Sequence, residues 1–315
     1  MRVEFVKAVD DILAQDDQGL FITGDLGFNA LEGIASKYGK RFINAGVAEQ
    51  SMVGIAAGTA LSGMRPWVYS IAPFATYRCL EQIRNDVCLH DLPVRIAGNG
   101  GGYTYGIMGS THHALEDIAV LKALPNLQLF FPCANDHVAA AVNAMAALPG
   151  PAYLRLAFSA FNTQWAALAE NTATLTRTYA RRGDRRQPGV TVIGAGHGVQ
   201  VALKALADGG LAGANVDVFG LARLPFDLEA DREVVESARE TQSVVFVEEH
   251  YAAGGVGESF KMALPGVRWF RLMSAAYHLD GRYGSPAFHM QQCDLTPATL
   301  LLVVQQQLQE QLRSP

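Results

Sequence analysis

The chain has 315 residues, of which half are hydrophobic and only 17% are charged, with a formal net charge of -5. A large core is therefore available, long disordered stretches are not expected, and the length suits two domains. Because no basic run stands out except an arginine cluster at 181–186, and no segment approaches about 20 apolar residues, we expect neither nucleic-acid binding nor a membrane span.

The cysteines and the N-terminus favour a cytoplasmic protein. The four cysteines are scattered, with no C-x-x-C motif and no histidine spacing that suits zinc: they are Cys79, Cys88, Cys133 and Cys293. We interpret them as reduced, buried thiols and predict no metal site in this chain. The first residues are amphipathic and lack the apolar core of a signal peptide, so the expected location is the cytoplasm.

The first half of the chain alternates between strand and helix patterns. After an amphipathic helix near the N-terminus, apolar runs predict strands at 20–23, 42–44, 66–69, 93–97, 127–131 and 152–156. Helical patterns lie between them, at 29–38, 47–62, 74–89, 113–123 and 135–147. Strict alternation predicts an α/β fold with a mostly parallel sheet covered by helices on both faces.

The pattern breaks once and then restarts. Residues 158–189 have no clean period, carry the arginine cluster and end in a Gln-Pro-Gly turn signal. Strands are then predicted at 190–193, 216–219, 244–247 and 267–270, with helices at 199–207, 228–238, 256–263 and 297–311. The sequence therefore predicts two α/β domains, residues 1–160 and 189–315, joined by a linker at 161–188.

Ligands of open parallel sheets bind beyond the carboxyl ends of the strands, and one carboxylate is conspicuous there. Glu49 stands in the small-residue, apolar start of a predicted helix that Asn44 is placed to cap. Such a glutamate is either a paired structural group or an acid kept for chemistry, and we interpret it as the second.

The longest predicted loop in the first domain runs from Gly98 to His113 and contains six glycines. Glycine suits a backbone that wraps closely around a ligand, although a flexible surface loop has the same composition. The paired His112 and His113 at its end favour a ligand site, and we expect one of them to pack or cap while the other reaches the ligand. Phe74 and Tyr77, one helical turn apart, would be core residues if they stood alone.

Two motifs suggest cofactor sites but match them imperfectly. Gly194–Gly198 follows a strand and opens a helix, but its last glycine is one position early for a dinucleotide-binding motif. A tight strand-to-helix turn is the better interpretation. Gly24-Asp25 begins like the metal-binding Gly-Asp-Gly of thiamine enzymes, but Leu26 follows and no suitably spaced Asn-rich partner exists, so no metal site is predicted.

Taken together, several stretches resemble the C-terminal half of the transketolase family. In chain order these are 24–27, 42–50, 81–87, 109–118, 124–126, 153–155 and 247–257. The Gly-x-Ala-Glu-Gln motif ending at Gln50 and the Thr-His motif at His112, in this order and at this spacing, make the signal specific. The resemblance implies a pyrimidine-binding domain followed by a transketolase C-terminal domain, which agrees with the predicted division.

The resemblance also implies roles for individual residues. Glu49 matches the glutamate that hydrogen-bonds the aminopyrimidine of thiamine diphosphate and thereby favours the tautomer that activates the thiazolium carbon. Phe74, with Tyr77, would form the aromatic wall against the pyrimidine. His112 would face the reacting carbon and the donor hydroxyls, and Asp25 would lie near the edge of the cofactor at a dimer interface.

Three departures from the family pattern bear on the substrate and on partners. Nothing in the sequence matches the domain that binds the diphosphate and its metal. Met108 stands where the family usually has an aspartate that touches a sugar hydroxyl, and Phe158 stands where it often has a phosphate-gripping arginine. Arg155 remains, with a structural role equally open. The candidate substrate contacts are therefore His112, His113, Met108 and Arg155, and an ordinary sugar phosphate is in doubt.

The implied function is that of the C-terminal subunit of a split transketolase, a transferase of the EC 2.2.1 class that moves a two-carbon ketol unit from a ketose donor to an acceptor. It would be active only with an N-terminal partner subunit that holds the diphosphate and Mg²⁺, in an α2β2 heterotetramer. Two alternatives stay open: a subunit that decarboxylates a 2-oxo acid, like pyruvate dehydrogenase beta or deoxyxylulose phosphate synthase, and a non-catalytic partner chain.

Overall fold

A computed structural model describes residues 1–27, 29–158, 165–211, 213–276 and 281–313. Within these residues the chain forms a seven-stranded and a six-stranded sheet, each mostly parallel and flanked by helices. The predicted fold class, two α/β units in succession, is confirmed.

The first sheet is built from the N-terminal half of the chain. Its strands are β1 Gly19–Thr23, β2 Phe42–Asn44, β3 Arg65–Ile71, β4 Arg95–Gly101, β5 Gln128–Phe130 and β6 Ala152–Ala157. They are parallel, in the order β5-β6-β4-β3-β1-β2. The helices are α1 Arg2–Gln15, α2 Glu32–Tyr38, α3 Glu49–Leu61, α4 Ala72–Thr76, α5 Leu80–Gln82, α6 Asp117–Leu121 and α7 Val138–Ala146. The carboxyl ends of β4, β3, β1 and β2 thus lie side by side.

The second sheet has the order β13-β12-β9-β10-β8-β7. Its strands are β7 Ala169–Asn171, β8 Thr176–Ala180, β9 Val190–Ala195, β10 Val216–Leu221, β12 Ser243–Tyr251 and β13 Trp269–Ala275, with helices α8 Val199–Ala207, α9 Arg232–Thr241, α10 Val256–Ala263, α11 Pro286–Gln292 and α12 Pro297–Arg313. The short β11, Arg223–Leu224, crosses over and pairs antiparallel with β5 of the first sheet. Backbone hydrogen bonds therefore join the two halves.

The predicted linker differs from the structure. Both β7 and β8 fall within 161–188, and they pair with each other and with β10. The hydrophobic pattern missed β8 because its buried residues are the polar Thr176, Arg177 and Thr178. The guanidinium of Arg177 is neutralised there by Glu170, at 2.6 Å, and by Asp136, at 2.9 Å.

Two predicted helices also differ. The segment predicted as one helix over 74–89 is divided into α4, α5 and a π-helical stretch, Ile83–Cys88. The helix predicted over 113–123 is reduced to α6 because the residues before it fold into the loop described below. The turn at Gly194 is tight, as predicted, since a side chain there would overlap Val199. No helix in the described part of the chain is long and apolar enough to cross a membrane.

His250, at the carboxyl end of β12, gives a testable pH dependence. Its Nε2 accepts a hydrogen bond from the Ala119 amide and its Nδ1 bonds the Tyr251 carbonyl, which fits only the neutral ring. Burial lowers the pKa of His250 to about 4, assisted by Arg155 and opposed by Asp117. Because the folded pKa lies below the unfolded value, the stabilisation is complete above pH 6.5 and is lost as pH falls towards 4.

We expect this one group to cost the wild-type chain about 2 kcal/mol of unfolding free energy between pH 7.5 and pH 5. Urea denaturation of a His250→Gln variant should show a correspondingly smaller loss over the same range. The exposed His90→Gln variant should retain the full wild-type loss. An unchanged loss in His250→Gln would contradict the assignment.

Candidate active site

The candidate site lies at the carboxyl edge of the first sheet and is centred on Glu49. This residue begins α3 and is only 1% exposed. Its Oε2 lies 2.6 Å from Nη1 of Arg78, whereas the Ser70 hydroxyl is 3.5 Å from Oε1. Behind it the Gly24 backbone approaches the side chain closely, since an added Cβ would lie 3.4 Å from the Glu49 Cγ. A buried carboxylate is thus held by one arginine.

Arg78 was not predicted as part of the site. Its side chain is 42% exposed, and its guanidinium carbon lies 4.3 Å from the centre of the Phe74 ring while Nη1 contacts Glu49. The available sequence signal was its position four residues after Phe74 along a helical pattern, which puts the two side chains on one face. Arg78 therefore connects the carboxylate to the aromatic ring.

Phe74 leads from Glu49 to His112. The ring centres of Phe74 and His112 are 5.1 Å apart in an edge-to-face arrangement, and Tyr105 lies 6.4 Å from His112 on another side. The Thr111 hydroxyl is 3.0 Å from Nδ1 of His112. Since His112 is partly exposed, its imidazole faces both the aromatic ring and solvent. The structure thus brings together the carboxylate, the aromatic ring and the imidazole that the sequence singled out.

Tyr77 has a different environment from Phe74. Its hydroxyl donates to Oε2 of Glu116 at 2.8 Å and accepts from the Glu116 amide at 3.1 Å. Burial raises the pKa of Tyr77, with Asp117 and Glu116 adding to the effect. These contacts anchor the start of α6, so an aromatic wall built from both residues remains a prediction for which only Phe74 has the neighbours of a site residue.

Asp25 occupies a strained turn after β1, with φ of +58°. Its amide donates to Oδ1 of Asn44 at 3.0 Å, and Nδ2 of Asn44 donates to Oδ1 of Asp25 at 2.8 Å. The predicted helix cap at Asn44 is therefore wrong: Ala48 precedes α3 without a side-chain cap, and Asn44 ties the β1 and β2 turns together instead. This is a positive-φ position stabilised by a neighbouring strand.

Two cavities adjoin this edge and share Arg2, Asn99 and Tyr105. One, of about 230 Å³, is also lined by Asp25, Leu26, Gly27, Tyr69 and Ile71. The other, of about 360 Å³, also contains Met1, Val3, Glu4, Thr104, Asn135, Ala157, Phe158 and His197. Arg2 was not predicted as a site residue, because only the folded topology brings the start of α1 to the ends of β3 and β4. Its exposed guanidinium can attract an anionic group.

Two predicted substrate contacts lie inside the protein. His113 is 5% exposed and packs edge-to-face against Tyr103 and His289, with ring centres 5.2 and 4.7 Å away. Its inclusion among the substrate contacts is therefore corrected, and it is the member of the histidine pair that packs. Met108, by contrast, is 49% exposed at the rim of the loop.

Arg155 is likewise a buried structural residue. Its Nε donates to Asp117 at 2.9 Å, and its Nη2 donates to the carbonyls of Ala114 and Glu249 at 2.7 and 2.9 Å. The Tyr153 hydroxyl donates to the same Asp117 carboxylate at 2.8 Å. With its guanidinium buried and bonded to both halves of the chain, Arg155 has the structural role of the two that the sequence left open, and its place among the substrate contacts is corrected.

Comparison with family models identifies both parts of the chain. Residues 1–162 match the pyrimidine-binding domain of transketolase, and residues 179–279 match the transketolase C-terminal domain. The described residues contain no cluster of three or more histidine, cysteine or carboxylate side chains that could hold a metal ion.

Individual proteins agree with the family models. One of the two subunits of an apulose-4-phosphate transketolase from Phocaeicola vulgatus is 32% identical over 81% of this chain and 80% of its own length. A 1-deoxy-D-xylulose-5-phosphate synthase from Pelotomaculum thermopropionicum is 32% identical over 82% of this chain but only 40% of its own length. A solved split gene transketolase, described as an inactive beta4 tetramer, superposes with a TM-score of 0.78 and 27% identity over 97% of each chain.

Proposed function

The chain belongs to the transketolase family, and from this premise we propose that it is the C-terminal subunit of a split, thiamine-diphosphate-dependent transketolase. It would move a two-carbon ketol unit from a ketose to an acceptor. The observation that carries the proposal is the buried Glu49 carboxylate beside Phe74 and His112 at the carboxyl edge of a parallel sheet. Thiamine diphosphate supplies the nucleophilic carbon that breaking a carbon–carbon bond requires.

The residues fit the aminopyrimidine end of that cofactor. Oε2 of Glu49 is engaged by Arg78, whereas Oε1 has, among the described residues, only the long 3.5 Å contact from Ser70. Oε1 is therefore the atom that would hold a proton against a ring nitrogen. Phe74 offers an aromatic ring for stacking, and the absence of bulk at Gly24 leaves the approach narrow but flat. Asp25, at the edge of this site, would be a neighbour of the cofactor.

The remaining residues would act on the substrate. The exposed side of His112 is placed to bind donor hydroxyls and to move a proton, while Thr111 orients the imidazole through Nδ1. Arg2 and Tyr105 line the adjacent cavities, so an acidic group on the substrate would lie towards Arg2. This arginine offers an anion contact that Phe158 does not, and Met108 would border the entrance.

The diphosphate and Mg²⁺ would be held by a partner subunit. Helix α3, which begins with Glu49, exposes a face of small and apolar residues: Ser51, Ile55, Gly58 and Leu61, with Val47 just before the helix. Such a face suits the packing of another chain against it. The similar split transketolase described as an inactive beta4 tetramer supports a requirement for a second chain, and an α2β2 heterotetramer would provide it.

The test is a turnover screen of this chain reconstituted with a chain that carries the diphosphate-binding half. Phosphorylated and unphosphorylated ketoses, with aldehyde acceptors, are assayed beside pyruvate. We expect two-carbon transfer from a ketose only when both chains, thiamine diphosphate and Mg²⁺ are present. Turnover of pyruvate alone would instead favour the 2-oxo acid alternative, which the similarity to the deoxyxylulose phosphate synthase keeps in view. No turnover of either class would overturn the proposal.

A further inference from the structure

The loop that carries His112 is closed at its base. The Gly102 amide donates to the Ala114 carbonyl at 2.9 Å, and the Ala114 amide donates back to the Gly102 carbonyl at 3.1 Å. His112 lies two residues before this closure, in the short 3-10 turn Ser110–His112. Because a closed base fixes the direction of the whole loop, whatever holds the base also sets where the imidazole points.

The base rests on the side chain of Glu249. Gly102 has φ of +65°, and a side chain there would overlap the Glu249 carboxyl group, so glycine permits this close approach. The next amide, of Tyr103, points to Oε1 of Glu249 at 3.4 Å. On the other side Gly101 packs on Arg155, since an added Cβ would lie 2.7 Å from the Arg155 Cγ.

Glu249 belongs to β12, in the second half of the chain. Its carbonyl accepts from Nη2 of Arg155 at 2.9 Å, and the same nitrogen donates to the Ala114 carbonyl at 2.7 Å. One guanidinium therefore bonds both Glu249 and the closure of the loop. The second sheet thus reaches the His112 loop through a backbone carbonyl and a carboxyl group.

The burial of this carboxyl group is costly. Glu249 is 4% exposed, and burial raises the pKa of its carboxyl group to about 7 although Arg155 opposes the effect. A buried acid whose direct contact with the first half is one long hydrogen bond and the surface of a glycine contributes little to stability. Its contacts are concentrated on the loop that positions His112.

We propose that Glu249 is a positioning residue for His112, holding the base of the 102–114 loop from the second half of the chain; this rests on the proposed function. It acts through the Tyr103 amide and the Gly102 backbone and does not touch the substrate. A shift of the loop by about 1 Å would misplace the imidazole and cost on the order of 10²-fold in rate.

The test compares Glu249→Ala with Glu249→Gln in the reconstituted complex. Glutamine keeps the shape and an acceptor oxygen for the Tyr103 amide, whereas alanine removes both. We expect Glu249→Ala to lower kcat about 10- to 100-fold with KM changed by less than about threefold. Glu249→Gln should stay within about threefold of wild type. Hydrogen exchange of the 103–113 amides should be faster in the alanine variant and unchanged in the glutamine variant.

The exchange measurement needs no turnover, so it separates this inference from the proposed function. Faster exchange at 103–113 in an otherwise intact complex, with the wild-type complex inactive on every ketose, would reject the function and leave the holding contact standing. Unchanged exchange and unchanged kcat in Glu249→Ala would overturn the inference. If that variant does not fold, Glu249→Asp, which withdraws the oxygen by one methylene, decides between the same two outcomes.

Discussion

Glu49→Gln is expected to lower the turnover of the reconstituted enzyme by about 10³-fold or more at saturating thiamine diphosphate. The amide keeps the volume of the carboxyl group, but it cannot accept and return a proton at the ring nitrogen, and acid–base catalysis of this kind contributes about 10²–10⁴-fold. Assembly should not change, because the replaced group is buried and the Arg78 left unpaired is 42% exposed. Steady-state rates and the mass of the complex measure the two effects.

Glu32→Gln is the matched control. Glu32 also begins a helix of the first half, α2, but it is fully exposed and distant in role from the site. This variant should retain wild-type turnover. Near-normal activity of Glu49→Gln, or an equal loss in both variants, would contradict the assignment of Glu49 as the residue that activates the cofactor.

Arg155→Met is expected to destabilise the isolated chain by about 3–5 kcal/mol. Methionine fills much of the space, but the buried Asp117 carboxylate loses its ion pair and keeps only the Tyr153 hydroxyl as a charge-stabilising neighbour among these contacts. The Ala114 and Glu249 carbonyls also lose their donor. Urea denaturation at pH 7.5 measures the change.

An exposed arginine provides the comparison. Arg84 bonds only its neighbour Asn85 among the described contacts, so Arg84→Met should change the unfolding free energy by about 0.5 kcal/mol or less. If Arg155 served the substrate instead, Arg155→Met would unfold at the wild-type urea concentration and raise KM. That result would reject the structural role.

The central residues of the site were predictable because each belongs to a local motif. Glu49 follows a short strand in a small-residue turn, Phe74 follows the next strand, and His112 ends a glycine-rich loop. Parallel topology then guarantees that these strand ends meet at one edge. The order of the elements was enough to bring these three residues together.

What the sequence did not reveal depends on contacts between distant residues. Arg78 looks like an ordinary exposed arginine until the fold puts Glu49 beside it, and Arg155 looks like a substrate ligand until Asp117 is seen to neutralise it. The strand β8 was hidden because its buried side chains are polar and paired with charges from elsewhere. Periodicity detects apolar burial, and it does not detect compensated polar burial.

The most direct test of the central claim is the rate at which the C2 proton of thiamine diphosphate exchanges with deuterium in the reconstituted complex. If this chain supplies the activating half of the site through Glu49, exchange will be much faster in the wild-type complex than in free cofactor. In the Glu49→Gln complex it will fall back towards the free rate. Equally fast exchange in both complexes, or no acceleration in either, would contradict the account.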